Sequence, residues 1–146
     1  SEGHPMSTEL MRLTYTYDGD TLGATRTVNG QPEQVKLRLA YIDAPEMAQS
    51  PWGIRARSYL RTLLSVNEPI LVDFKGYDKY GRMLAEVLRK RDYGNLGLRL
   101  ALGGYVALWM CPSTQQGYQA AQAIAQYKKA GIWSLPGIHQ TPWLYR

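Results

Sequence analysis

The tightest constraint on this chain lies at Asn29-Gly30, a dipeptide set between two stretches of alternating, β-prone residues. The two-residue hairpin turn that matches strand twist needs positive φ at both central positions, which Asn followed by Gly tolerates best. Residues 21–28 and 34–42 therefore read as the arms of one antiparallel hairpin. In the second arm Val35, Leu37, Leu39 and Tyr41 fall on one face, and Lys36, Arg38 and Ala40 on the other, as the two-residue period of a strand demands.

The other elements are read outward from this hairpin. Residues 10–17 alternate and end at Asp18-Gly19, giving a preceding strand. After Pro51 the positions Trp52, Ala56, Tyr59, Leu60 and Leu63 recur at helical spacing, with Arg55, Arg57 and Arg61 between them as a solvated face. Residues 70–75 and 82–89 read as a second hairpin around Asp78-Lys79-Tyr80-Gly81. Asn95 can cap a short helix to Leu102 that Gly103-Gly104 ends, residues 105–109 read as a last strand, and residues 118–130 as a last helix closed by Gly131. A chain of 146 residues supports one core. Strands first, with a helix between the third and fourth, suggest an α+β fold: a five-stranded OB-type barrel with about three helices. Residues 9–135 would be that domain, residues 1–8 an appended disordered N-terminus, and residues 136–146 a tail.

Charge and special residues narrow the partners. Seventeen Lys and Arg against twelve Asp and Glu leave a net charge of +5, which favours polyanions such as nucleic acid. No apolar run is long enough to span a bilayer, so no membrane partner is expected. Cys111 is the one cysteine, which rules out an internal disulfide. It reads as a small buried hydrophobe rather than a nucleophile, because no His is near it in sequence. His4 and His139 read as neither catalytic nor metal-binding.

The chemistry collects at strand ends. Asp18-Gly19-Asp20-Thr21 opens one arm of the first hairpin, and the segment from Arg38 through Asp43-Ala44-Pro45-Glu46 closes the other. The start of one strand and the end of its antiparallel partner lie at the same end of the ribbon, so Asp20 and Asp43 can converge. Two hard carboxylates plus main-chain carbonyls suit Ca²⁺ or Mg²⁺. Arg38, Glu46 and the Asp78-Lys79-Tyr80-Gly81-Arg82 turn add the charged groups that phosphodiester hydrolysis needs: guanidinium forks for developing negative charge, and a carboxylate to take a proton from water.

These three segments, in this order and at these spacings, resemble the signature of the staphylococcal (micrococcal) nuclease family, and the similarity extends over residues 10–134. The resemblance implies a Ca²⁺-dependent hydrolase that cuts DNA and RNA and leaves 3′-phosphate ends. It implies calcium ligation by the Asp20 and Asp43 carboxylates and the Ala44 carbonyl, where the best-known member has threonine. Arg38 and Arg82 would grip the scissile phosphate, Glu46 would activate or position water, and Lys79 and Tyr80 would lie near substrate phosphates. The matching stretch for the family's nucleotide-stacking tyrosines is Trp109-Met110-Cys111-Pro112, where Trp109 can stack on a base or belong to the core. Weak, exposed calcium sites favour a secreted or periplasmic protein, with a cytoplasmic one still open. A monomer without an obligate protein partner is expected. The alternative is an OB-type module that binds nucleic acid without cutting it.

Overall fold

The computed structural model describes residues 7–146, so the expectation for the first six residues lies outside the described residues. Strands β1 (Glu9–Thr16), β2 (Thr21–Val28) and β3 (Gln31–Leu39) form an antiparallel meander. Asn29 (φ 52°) and Gly30 (φ 78°) make the turn between the last two. A two-residue strand β4 (Ile42–Asp43) and helix α1 (Trp52–Leu63) follow, then the hairpin of β5 (Pro69–Tyr77) and β6 (Met83–Arg89). Helix α2 (Leu96–Leu102), strand β7 (Ala107–Leu108) and helix α3 (Gln116–Lys128) complete the regular elements, with 3₁₀ turns at Gly131–Ser134, Ile138–Gln140 and Pro142–Leu144. The barrel closes in the order β1-β2-β3-β6-β5, with β3 parallel to β6 and every other pair antiparallel. This is the OB-type α+β barrel with three helices.

The core follows from the strand period. Met11, Leu13, Leu22, Leu37, Leu39, Ile70, Val72 and Val87 point inward, and Leu60 of α1 and Leu96 and Leu100 of α2 pack against them. Asn95 caps α2 by accepting a hydrogen bond from the Leu98 N–H (3.0 Å). No helix among the described residues is long and apolar enough to cross a membrane.

Several boundaries differ from the sequence expectation: the strand expected over residues 105–109 is confined to Ala107–Leu108, which pairs outside the barrel, and β5 runs on to Tyr77. The third strand was expected to run to residue 42, but it stops at Leu39 because Tyr41 adopts a left-handed φ of 72°. Ile42–Asp43 then leaves the barrel and pairs with β7. Arg38 holds this turn from inside, donating through Nη1 to the carbonyls of Leu39 (2.7 Å) and Ile42 (2.8 Å). Hydrophobic alternation carries no trace of a side chain that folds the backbone around itself. Helix α3 likewise ends earlier than expected, because Lys129 takes the left-handed cap position (φ 54°) ahead of Gly131.

The turn between β1 and β2 is wedged against both α1 and the β4 exit. A Cβ on Gly19 would lie 2.5 Å from the Ala56 Cβ and 2.8 Å from the Ala44 Cβ. Overpacking of this kind costs about 1–3 kcal/mol. Gly19→Ala is therefore expected to lower the unfolding free energy by that amount in urea titration, and an unchanged midpoint would show that the wedge is loose.

Candidate active site

Every functional side chain singled out in the sequence lies around one cavity of about 1250 Å³. At its floor Asp20 opens β2 and Asp43 ends β4, brought side by side because the Leu39 N–H bonds the Asp20 carbonyl (2.9 Å). Arg38 Nη2 lies 2.9 Å from Asp43 Oδ1 and 3.4 Å from Asp20 Oδ2, so a single guanidinium nitrogen serves both acids. All three side chains are buried, Asp43 completely. The Ala44 N–H donates to Asp20 Oδ2 (2.8 Å) and the Thr21 hydroxyl to Asp20 Oδ1 (2.9 Å).

Negative charge is in excess here. Burial acts against the charge on Asp20, but Arg38, Asp18 and the Ala44 and Thr21 donors outweigh it and hold this carboxyl below its ordinary value. Asp43 is pushed up, chiefly by burial and also by the charge of Asp20. Asp18, whose Oδ1 accepts the Asp20 N–H (3.0 Å), is pushed up to about 7 by burial and then by Asp20. Three acids crowding one buried arginine suit a hard cation, since carboxylate oxygens are its preferred donors. Among the described residues no three His, Cys, Asp or Glu side chains gather closely enough to cage an ion on their own, so main-chain oxygens or water would complete its shell.

Glu46 stands beside this floor on the loop between β4 and α1. Its own N–H donates to Gln49 Oε1 (2.8 Å), and its carbonyl accepts the Gln49 N–H (2.8 Å). Gly53 in the first turn of α1 lets the loop lie directly on the helix, because a Cβ there would collide with the Glu46 carbonyl. Across the cavity Asp78 organises the β5–β6 turn. It accepts from the N–H groups of Tyr80 and Arg82 (2.9 Å each) and from Arg82 Nε (2.6 Å), which fixes the guanidinium and leaves its terminal nitrogens without an ion pair among the described residues. Lys79 Nζ and Arg82 Cζ each lie 5.3 Å from the exposed Tyr80 ring. Trp109 is half-buried in the cavity wall, with the Arg38 guanidinium 6.0 Å from its ring. From Lys36 at the cavity edge a strip runs outward in which Lys36 and Arg61 flank the edge-to-face pair of exposed rings Tyr17 and Tyr15.

Comparison with known proteins settles the lineage. The staphylococcal nuclease homologue family matches residues 36–135. The chain belongs to that family. It is 32% identical over 148 residues to a micrococcal nuclease of Shigella flexneri, an alignment covering 94% of this chain and 79% of that protein. It is 32% identical over 123 residues to an uncharacterized endonuclease of Haemophilus influenzae, covering 84% of this chain and 65% of the other. A probable endonuclease of Leptosphaeria maculans is 29% identical over 121 residues, covering 73% and 40%. The chain thus spans less than two thirds of the length of these last two relatives.

Three further charged residues of this staphylococcal nuclease homologue line the cavity without having been singled out in the sequence: Asp18, Asp78 and Arg146. Asp18 and Asp78 were legible as turn formers only. Arg146 had no signal at all: its Nη2 lies 2.7 Å from Asp43 Oδ2 and its Nη1 2.6 Å from Glu46 Oε2. His4 lies outside the described residues, and Cys111, expected to be buried, is half-buried. His139 is buried in a stack with Trp52 (ring centroids 4.5 Å apart), and the Cys111 thiol is pushed up by burial and by Glu86. Arg38 differs from the expected open phosphate fork, because both its terminal nitrogens already serve protein acceptors.

The raised Asp18 has a consequence for stability. A carboxyl that binds its proton more tightly when folded favours the fold below its ordinary value of 3.8, and that contribution is lost as pH rises through about 7. Asn mimics the protonated acid and still accepts the Asp20 N–H. In chelator, Asp18→Asn is expected to melt higher than wild type at pH 8 and to lose that advantage by pH 4. Equal melting temperatures at both pH values would show that Asp18 is not held protonated.

Proposed function

We propose that this chain is a Ca²⁺-dependent nuclease that hydrolyses phosphodiester bonds of DNA and RNA and leaves 3′-phosphate ends. The observation that carries this reading is the gathering of Asp20, Asp43, Glu46, Arg38 and Arg82 around one cavity in a chain of this family. Asp20 and Asp43, with the Ala44 carbonyl, would hold the calcium ion. When bound, that ion supplies positive charge to the phosphate and to the water beside it.

The protein's own groups divide the remaining work. The Glu46 carboxylate accepts a proton from water as the water oxygen bonds to phosphorus and the bond from phosphorus to O5′ breaks, with the departing O5′ taking up a proton as the 5′-hydroxyl. Arg82, steadied by Asp78, presents its terminal N–H groups to the phosphoryl oxygens on which charge accumulates. Arg38 adds its charge from the floor, where burial weakens screening. Lys79 and Tyr80 would meet the neighbouring phosphate at the mouth. The Lys36, Tyr17, Tyr15 and Arg61 strip supports a strand-shaped substrate, since exposed rings flanked by cations suit bases and phosphates.

Glu46→Gln and Arg82→Ala are each expected to lower turnover on single-stranded DNA by about a hundredfold or more, because each removes a proton-transfer or transition-state contact. The check is steady-state cleavage with circular dichroism as a control for folding. Near wild-type turnover in either folded variant would refute the role assigned to it.

A further inference from the structure

We infer that Arg146 is a positioning residue of this centre, clamping the Glu46 carboxylate to Asp43 so that one Glu46 oxygen is fixed and the other is left to take the proton from water. The inference rests on the hydrolytic reading above and adds to it a residue a hundred positions away in sequence from the acid it serves.

Glu46 needs such a partner. It lies on a loop between a two-residue strand and α1, its side chain is half-exposed, and an unrestrained glutamate samples several rotamers. Asp43, by contrast, is fully buried, with Oδ1 already held by Arg38. The Arg146 fork joins the half-exposed acid to the buried one, through Nη1 to Glu46 Oε2 (2.6 Å) and Nη2 to Asp43 Oδ2 (2.7 Å). A guanidinium is planar and rigid, so two nitrogens of one fork set the separation of the two carboxylates, as a point-charge ammonium cannot. Among the described residues Glu46 Oε1 has no hydrogen bond within the protein, which leaves it open to water.

Arg146 is itself delivered by a built strap rather than by a free surface arm. His139 stacks on Trp52 at 11° between ring planes and approaches the Leu135 carbonyl through Nε2 (2.8 Å). Gln140 Nε2 donates to the carbonyls of Ile132 and Leu135 (3.0 Å each), Pro142 is buried, and Trp143 lines the cavity beside Arg146. Trp52 is the first residue of α1, the helix on which the Glu46 loop lies, so strap and loop are docked on one support.

The test compares wild type, Arg146→Ala and Arg146→Lys for cleavage of a single-stranded oligonucleotide in calcium, and for crystal structures. The inference expects kcat to fall about tenfold to a hundredfold in Arg146→Ala with KM and melting temperature little changed, since misplacing a catalytic group by about 1 Å costs on that order. It expects only partial activity in Arg146→Lys, recovery of Arg146→Ala by added methylguanidinium, and Glu46 spread over several rotamers in the crystal. An unchanged kcat, or a kcat that rises because a competing cation has been removed, would overturn it. Should wild type cut no nucleic acid, the hydrolytic reading fails by itself. The crystallographic comparison then still decides the clamp, and a Glu46 unmoved by Arg146→Ala would overturn that too.

Discussion

The buried triad of Arg38, Asp43 and Asp20 is the interaction on which the rest of this structure depends. Charges removed from water must be paired and hydrogen-bonded or they unfold the site around them, and breaking such a pair costs about 3–5 kcal/mol. Arg38 meets that demand twice over: one terminal nitrogen serves the two aspartates and the other holds the carbonyls on either side of Tyr41. The same side chain therefore sets the electrostatics of the cavity floor and turns the backbone out of the barrel. Arg38 shares Asp43 with Arg146, which reaches its other oxygen from the far end of the chain, and burial together with the charge of Asp20 still raises Asp18 and Asp43.

Around this floor each reactive group is steadied by something less conspicuous. Asp78 ties Arg82 to its own turn, Gly53 lets the Glu46 loop rest on α1, and Gly19 brings the Asp20 turn into contact with Ala44 and Ala56. The barrel thus supplies rigidity, while the loops at one end supply chemistry, the division of labour expected when a site must be both precise and open.

Much of this was legible in the sequence, for local reasons. Asn29-Gly30 fixes a hairpin, the hairpin brings Asp20 and Asp43 to one end, and strand and helix periods identify Leu37, Leu39, Ala56 and Leu60 as core. What was not legible depends on tertiary structure. Tyr41 carries no mark of a left-handed conformation, because Arg38 imposes it from the side-chain end. The inward commitment of Arg38 was hidden for the same reason, since a strand pattern gives the face but not the partner. Arg146 is harder still: residues 136–146 lack periodicity, and nothing in them points to acids about a hundred residues earlier. Only the His139 stack and the Pro142 anchor reveal that this segment is led back to the cavity.

The central claim is that the Asp20 and Asp43 floor binds calcium and makes the chain a nuclease. The most direct measurement is a titration of Ca²⁺ into protein freed of metal by chelator, following cleavage of circular plasmid at each concentration. The account predicts no cleavage in excess chelator and a saturable rise with calcium that Asp43→Asn abolishes. Full cleavage in chelator, or a calcium response unchanged in folded Asp43→Asn, would contradict it.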